Sequence, residues 1–179
     1  IYLSTGASLI KKDLFNFFEI KKSKLFLMIP LRLGLNNINP IYHKSLLKCL
    51  ELEESVGIIG GKPRYSLYFV GYTNDNLIYL DPHNINSTVE NNVLFPKIND
   101  LLSYHSLNQK TININNIDPS LALGFLINDS NCLNKFFDNI QNIFKKNVPL
   151  FEIINEKSTY KKKIFKENNN NIDNDWEII

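Results

Sequence analysis

The apolar positions along this chain follow two rhythms, and the change from one to the other marks its elements. Leu25-Phe26-Leu27-Met28-Ile29 is a continuous apolar run of strand length. Pro30 should end it, because proline has no N–H to give to a ladder. Val56 to Ile59 is a short strand that runs into Gly60-Gly61-Lys62-Pro63. Leu67 to Tyr72 and Leu77 to Leu80 read as two strands, and Thr73-Asn74-Asp75-Asn76 between them is turn chemistry, which predicts a hairpin. Leu121 to Ile127 is a further strand introduced by Asp118-Pro119, and Leu150 to Ile154 a last one.

Helical spacing appears in three places. Leu14, Phe15, Phe17 and Phe18 have it within an otherwise mixed opening stretch. Asn39 followed by Pro40 is a helix start, with Asn as cap and Pro at the first helical position. Tyr42, Leu46, Leu47 and Leu50 then share one face, and the helix should fade near Glu54. The clearest amphipathic helix carries Leu133, Phe136, Phe137, Ile140, Ile143 and Phe144 on one face, capped by Asp129 or Ser130. The class that follows is α+β, a mostly antiparallel sheet flanked by helices. Residues 1–24 find no clear place in it, 25–154 form the domain, and 155–179 are a polar, low-complexity tail.

Composition narrows the function. A 44% hydrophobic and 21% charged content is that of an ordinary soluble domain. A formal charge of +2, with only short lysine clusters, gives no footprint for nucleic acid or an anionic membrane. Two isolated cysteines, Cys49 and Cys132, form neither a disulfide framework nor a zinc site and fit a reducing, cytoplasmic setting. No apolar run reaches the roughly 18 residues of a membrane span, and no secretory signal is visible. His43 and His105 have no partner at metal-ligand spacing and read as structural or surface residues, so no metal or cofactor is expected.

The chemistry lies in Tyr79-Leu80-Asp81-Pro82-His83, at the end of a hairpin strand. Residues two apart on a strand point to one face, so Asp81 and His83 should project together into one cleft. A carboxylate beside an imidazole favours its charged form. In a thiol peptidase the imidazole of such a pair binds the thiolate and later protonates the leaving amine, while the carboxylate orients the ring. A turn in which Asp81 caps local amides and His83 lies at the surface would use the same three residues.

The surroundings carry more. Ile29-Pro30-Leu31-Arg32-Leu33-Gly34-Leu35, Val56-Gly57-Ile58-Ile59-Gly60-Gly61-Lys62-Pro63, Tyr68-Phe69-Val70-Gly71-Tyr72, the Asp81 segment and Asp118-Pro119-Ser120-Leu121-Ala122-Leu123-Gly124-Phe125 follow in that order. This series closely resembles the autophagins, autophagy cysteine endopeptidases of papain-like fold, over roughly Leu25 to Ile154. The resemblance implies that Asp81 and His83 are the catalytic acid and histidine. It implies that Gly60, Gly61, Lys62 and Pro63 form a regulatory loop lying over the catalytic cysteine; a tight turn leading into the next strand would use the same residues. Arg32 and Leu35 match a segment near the substrate groove. The implied partner is a ubiquitin-like autophagy modifier, both as precursor and conjugated to phosphatidylethanolamine. The enzyme cuts after its C-terminal glycine, and membrane contact comes only through the lipidated substrate. No cofactor is implied.

One departure is plain. The family's nucleophile sits in a Gly-Trp-Gly-Cys-like segment well before the equivalent of Leu25, and no such segment occurs here; the only tryptophan is Trp176. Cys49 and Cys132 read as small apolar helix residues. The chain, which opens on Ile1, is therefore expected to be the acid–histidine part of a longer peptidase and inactive alone. The alternative is a catalytically dead homologue that binds the modifier without cutting it. The tail adds Trp176-Glu177-Ile178-Ile179, preceded by Asp173 and Asp175. Trp176 and Ile179, three apart with acidic neighbours, resemble the short motif by which autophagy proteins add a strand to the same modifier.

Overall fold

Strict alternation in the apolar runs decides where the core lies. The computed structural model describes residues 1–4, 6–21, 23–85, 98, 102, 105 and 109–156. In chain order the elements are β1 (Tyr2–Leu3), β2 (Ser8–Ile10), α1 (Lys11–Lys21), β3 (Leu25–Arg32), a 3-10 turn (Pro40–Tyr42) leading into α2 (His43–Leu50), β4 (Ser55–Lys62), β5 (Tyr65–Thr73), β6 (Asn76–Leu80), β7 (Lys110–Asn113), a second 3-10 turn (Ile114–Asn116), β8 (Ser120–Ile127), α3 (Ser130–Lys146) and β9 (Glu152–Ile154). Seven strands form one sheet in the order β1-β3-β8-β4-β5-β6-β7. It is antiparallel except for the β1–β3 pair. Strands β2 and β9 pair in parallel as a separate small sheet.

The register sorts side chains onto two faces. On one, Ile29 lies opposite Leu123, Leu123 opposite Ile58, Ile58 opposite Phe69 and Phe69 opposite Tyr79. This face is covered by helices, whose Leu46, Leu47, Phe136, Phe137 and Ile140 join the same buried cluster. Phe136 is fully buried, with its ring centroid 4.8 Å from Phe125 and 5.8 Å from Phe137. Burying side chains of this size contributes about 1.5–3 kcal/mol each. On the other face the row Pro30, Ala122, Ile59, Tyr68, Leu80 crosses five strands. Ile59, Tyr68, Val70, Leu80 and Leu126 are exposed there. Ile59 and Tyr68, with Phe26, Met28 and Val56, border an apolar hollow of about 430 Å³.

Several elements differ from the sequence reading. Pro30 does not end β3; the strand continues to Arg32 with Pro30 opposite Ala122. Its other neighbour, β1, pairs only as far as Met28, so Pro30 lies where that side of β3 is an edge and a missing donor leaves no gap in the ladder. The Asn39–Pro40 start is present, but as a single 3-10 turn in which the Asn39 side chain accepts from the Ile41 N–H. Helix α2 then stops at Leu50. Asp129, rather than Ser130, caps α3 by accepting from the Cys132 N–H at 2.8 Å. The opening residues, which the sequence pattern left unplaced, contribute β1, β2 and α1 and bury Leu9, Ile10 and Leu14. Among the described residues no helix is long and apolar enough to cross a membrane.

Candidate active site

The hairpin β5–β6 brings the key motif to one end of the large sheet. Its turn at Asn74 takes a positive φ of 52°, which asparagine tolerates better than most residues. β6 ends at Leu80, so Asp81 and His83 lie beyond the strand, in the turn that follows. Strand alternation therefore does not bring them together. A local turn does: Asp81 Oδ1 accepts the His83 backbone N–H at 3.0 Å and lies 2.8 Å from His83 Nδ1. The capping role that the turn reading assigned to Asp81 and the carboxylate–imidazole pair are both present, on the same oxygen.

The second carboxylate oxygen is also held. Tyr65, the first residue of β5, donates its hydroxyl to Asp81 Oδ2 at 2.9 Å. Lys110 Nζ, at the start of β7, lies 3.8 Å from that oxygen. The Tyr65 ring stacks on the imidazole, with centroids 4.2 Å apart and planes inclined by 27°. Lys62 Nζ sits 5.9 Å from the centroid of the Tyr65 ring. Only 10% of the Asp81 side chain is exposed, against 47% for His83. The His83 backbone N–H, then its imidazole, hold the Asp81 pKa down to about 2; partial burial opposes this, and Tyr65 and Lys110 add to it. The same hydrogen bond raises the Tyr65 pKa and keeps the phenol protonated. The arrangement fixes a carboxylate and uses Nδ1 to bind it, which leaves Nε2 as the nitrogen for a reacting group.

The stretch 60–63 is not a loop for most of its length. Gly60, Gly61 and Lys62 pair with Leu67, Ser66 and Tyr65 as the end of β4, and only Pro63 and Arg64 turn the chain. Both glycines serve close packing: a Cβ at Gly60 would lie 3.1 Å from the Phe69 ring. Gly61 has φ +148°, and a Cβ there would lie 2.1 Å from the Tyr65 carbonyl oxygen. Its own carbonyl accepts from the Asp118 N–H at 2.7 Å. Arg32 and Leu35 border a shallow groove of about 690 Å³ formed by residues 32–40 and Tyr42. The Arg32 guanidinium donates to Ser120 Oγ at 3.0 Å and to the Leu35 carbonyl at 2.9 Å, while the Leu35 side chain is exposed. Trp176 and Ile179 lie outside the described residues.

The cysteines sit on helices, as their surroundings in the sequence imply. Cys49 is completely buried on α2, and burial pushes its thiol up to about 12, so it stays protonated near neutral pH. Cys132 lies in the first turn of α3, its Sγ 3.9 Å from Glu54 Oε1. Among the described residues no group of three or more His, Cys, Asp or Glu side chains is arranged to hold a metal ion. Sequence reading missed Tyr65 and Lys110. Nothing local marks Lys110, since β7 is four residues of mixed polarity. Tyr65 carried one signal, an aromatic directly after the turn at Pro63 and Arg64, next to the strand that leads to Asp81.

A profile of the Peptidase C54 catalytic domain matches residues 2–139. The chain belongs to the C54 peptidases, the autophagin family. Cysteine protease ATG4A of Homo sapiens is 37% identical to this C54 chain over 134 residues, which cover 73% of the chain and 33% of that protein. Cysteine protease ATG4A of Xenopus laevis is 37% identical over 117 residues, 65% of the chain and 29% of that protein. Probable cysteine protease ATG4 of Debaryomyces hansenii is 41% identical over 107 residues, 60% of the chain and 20% of that protein. The C54 chain thus spans about a third or less of the length of these relatives. Its antiparallel sheet with helices packed on one face is of the papain-like kind, and its family is one of cysteine peptidases.

Proposed function

We propose that Asp81 and His83 are the acid and histidine of a cysteine endopeptidase whose nucleophilic thiol comes from a part of the protein outside residues 1–179. The observation that carries this reading is the 2.8 Å contact between His83 Nδ1 and Asp81 Oδ1, which turns the ring so that Nε2 is the nitrogen left for a thiol. In the proposed reaction Nε2 takes the thiol proton, and the thiolate sulfur attacks the carbonyl carbon of a glycine. The tetrahedral oxyanion collapses, the C–N bond breaks, and the amine leaves with the proton from Nε2. Water, deprotonated by His83, then hydrolyses the thioester and frees both acid and thiol. Asp81, held ionised, stabilises the imidazolium in both steps.

The substrate is a ubiquitin-like autophagy modifier, cut after its C-terminal glycine in the precursor and in the conjugate with phosphatidylethanolamine. Family membership supports this choice. The amine released is then either a peptide or the lipid headgroup. Arg32 and Leu35 border the substrate groove, and the segment Gly60 to Pro63 regulates access to the thiol. Trp176 and Ile179 bind the modifier through the tail; Trp176→Ala should weaken that binding in a titration while leaving the fold unchanged, and an unaltered affinity would remove this part. The setting is the cytoplasm.

The exposed apolar residues on the second face of the sheet fit the same reading. A row of apolar residues crossing five strands needs a cover, and the curated relatives have ample further chain to supply one. The test is His83→Ala in the complete protein. Cleavage of the modifier precursor should fall to background, with modifier binding retained. Full cleavage by that variant would defeat the assignment.

A further inference from the structure

Tyr65 stands out once the site is assembled. It is a large aromatic with 39% of its surface open, so core packing does not account for it. Both of its features point at the same pair of residues. The hydroxyl reaches Asp81 Oδ2 at 2.9 Å, and the ring lies against the imidazole of His83 at 4.2 Å between centroids.

We propose that Tyr65 is the positioning residue of the Asp81–His83 pair, fixing the carboxylate with its hydroxyl and the imidazole plane with its ring. The inference rests on the peptidase reading for its catalytic consequence, but the geometry it describes does not depend on a thiol. A carboxylate turns about its last side-chain bond unless both oxygens are engaged. Oδ1 serves the His83 N–H and Nδ1; Oδ2 is held by Tyr65, with Lys110 at a longer 3.8 Å. The hydroxyl of Tyr65 is therefore what keeps Oδ1 turned toward the ring. The imidazole is half exposed and has one strong hydrogen bond, so a second restraint is needed to stop it rotating. A ring stacked at this distance blocks that rotation. Tyr65 is fixed in turn by its backbone, as the partner of Lys62 at the end of the β4–β5 hairpin. Gly61 keeps that backbone close, since any side chain at 61 would strike the Tyr65 carbonyl.

Two substitutions separate the hydroxyl from the ring. Tyr65→Phe keeps the stack and removes the donor. Tyr65→Leu removes both. In the 179-residue chain, the Asp81 carboxyl carbon followed by NMR should titrate at higher pH in both variants than in the unaltered protein. The ring nitrogens of His83 should report the Nδ1-protonated tautomer in the unaltered chain and in Tyr65→Phe, and a mixture of tautomers in Tyr65→Leu. In the complete protein, kcat should fall about tenfold for Tyr65→Phe and about a hundredfold for Tyr65→Leu, with KM unchanged. An Asp81 titration and a His83 tautomer identical to those of the unaltered chain in both variants would overturn the proposal, whatever the rates do. Unchanged kcat in Tyr65→Leu would overturn it as well. If His83→Ala still cuts, the peptidase reading fails, and the two NMR readouts, which need neither thiol nor substrate, still decide what Tyr65 does.

Discussion

Asp81 is the residue on which the site turns. Its carboxylate accepts from a backbone N–H, an imidazole and a phenol, and a lysine lies nearby. These partners lower its pKa from an ordinary 3.8 to about 2. The sign of the consequence for stability follows. The folded state holds the proton less tightly than the unfolded chain, so the contribution of Asp81 is fully present above about pH 4 and is lost as pH falls through about 2. Asp81→Asn should therefore be less stable than the unaltered chain at neutral pH, and the two should converge as the solution approaches pH 2. Urea unfolding at a series of pH values measures this, and a constant gap across that window would contradict it. Cys49 is the opposite case: buried and held protonated, it should resist alkylation at neutral pH until the chain unfolds.

The elements show what the pattern of residues could and could not reveal. Strands β3, β4, β5, β6 and β8 and helix α3 follow from apolar runs long enough to define a face. Helix α3 has its cap visible three residues ahead of Cys132, and Asp129→Ala should cost about 1 kcal/mol in denaturant unfolding. Phe136→Ala, which empties a fully buried site between two aromatic rings, should cost about 3–5 kcal/mol. Strands β1, β2 and β7 were not legible, because runs of two to four residues have no period to read and take their conformation from distant partners. The Asp81–His83 pairing was legible, but for the wrong reason. Alternation along a strand predicted a shared face, whereas a turn closed by the side chain of Asp81 performs the approach. The strand pairing of Gly60 to Lys62 was hidden for a related cause. Glycines signal both freedom and close contact, and only the register with β5 distinguishes the two.

At the scale of the molecule, helices cover one face of the sheet, while on the other Ile59, Tyr68, Val70 and Leu80 are exposed. On that second face, Phe26, Met28, Val56, Ile59 and Tyr68 surround an apolar hollow. A face of this kind should bind an apolar dye such as ANS in the 179-residue chain and lose most of that binding in the complete protein. Equal dye binding by the two would mean that this face is left open in both. The catalytic claim has a more direct test, the pH dependence of alkylation of the nucleophilic cysteine in the complete protein. With His83 present, the thiol should react with iodoacetamide well below the ordinary thiol range, already near about pH 6. In His83→Ala the reaction should wait until about pH 8.5, where an unassisted thiol ionises. Superimposable profiles for the two proteins would contradict the pairing of this imidazole with a thiol.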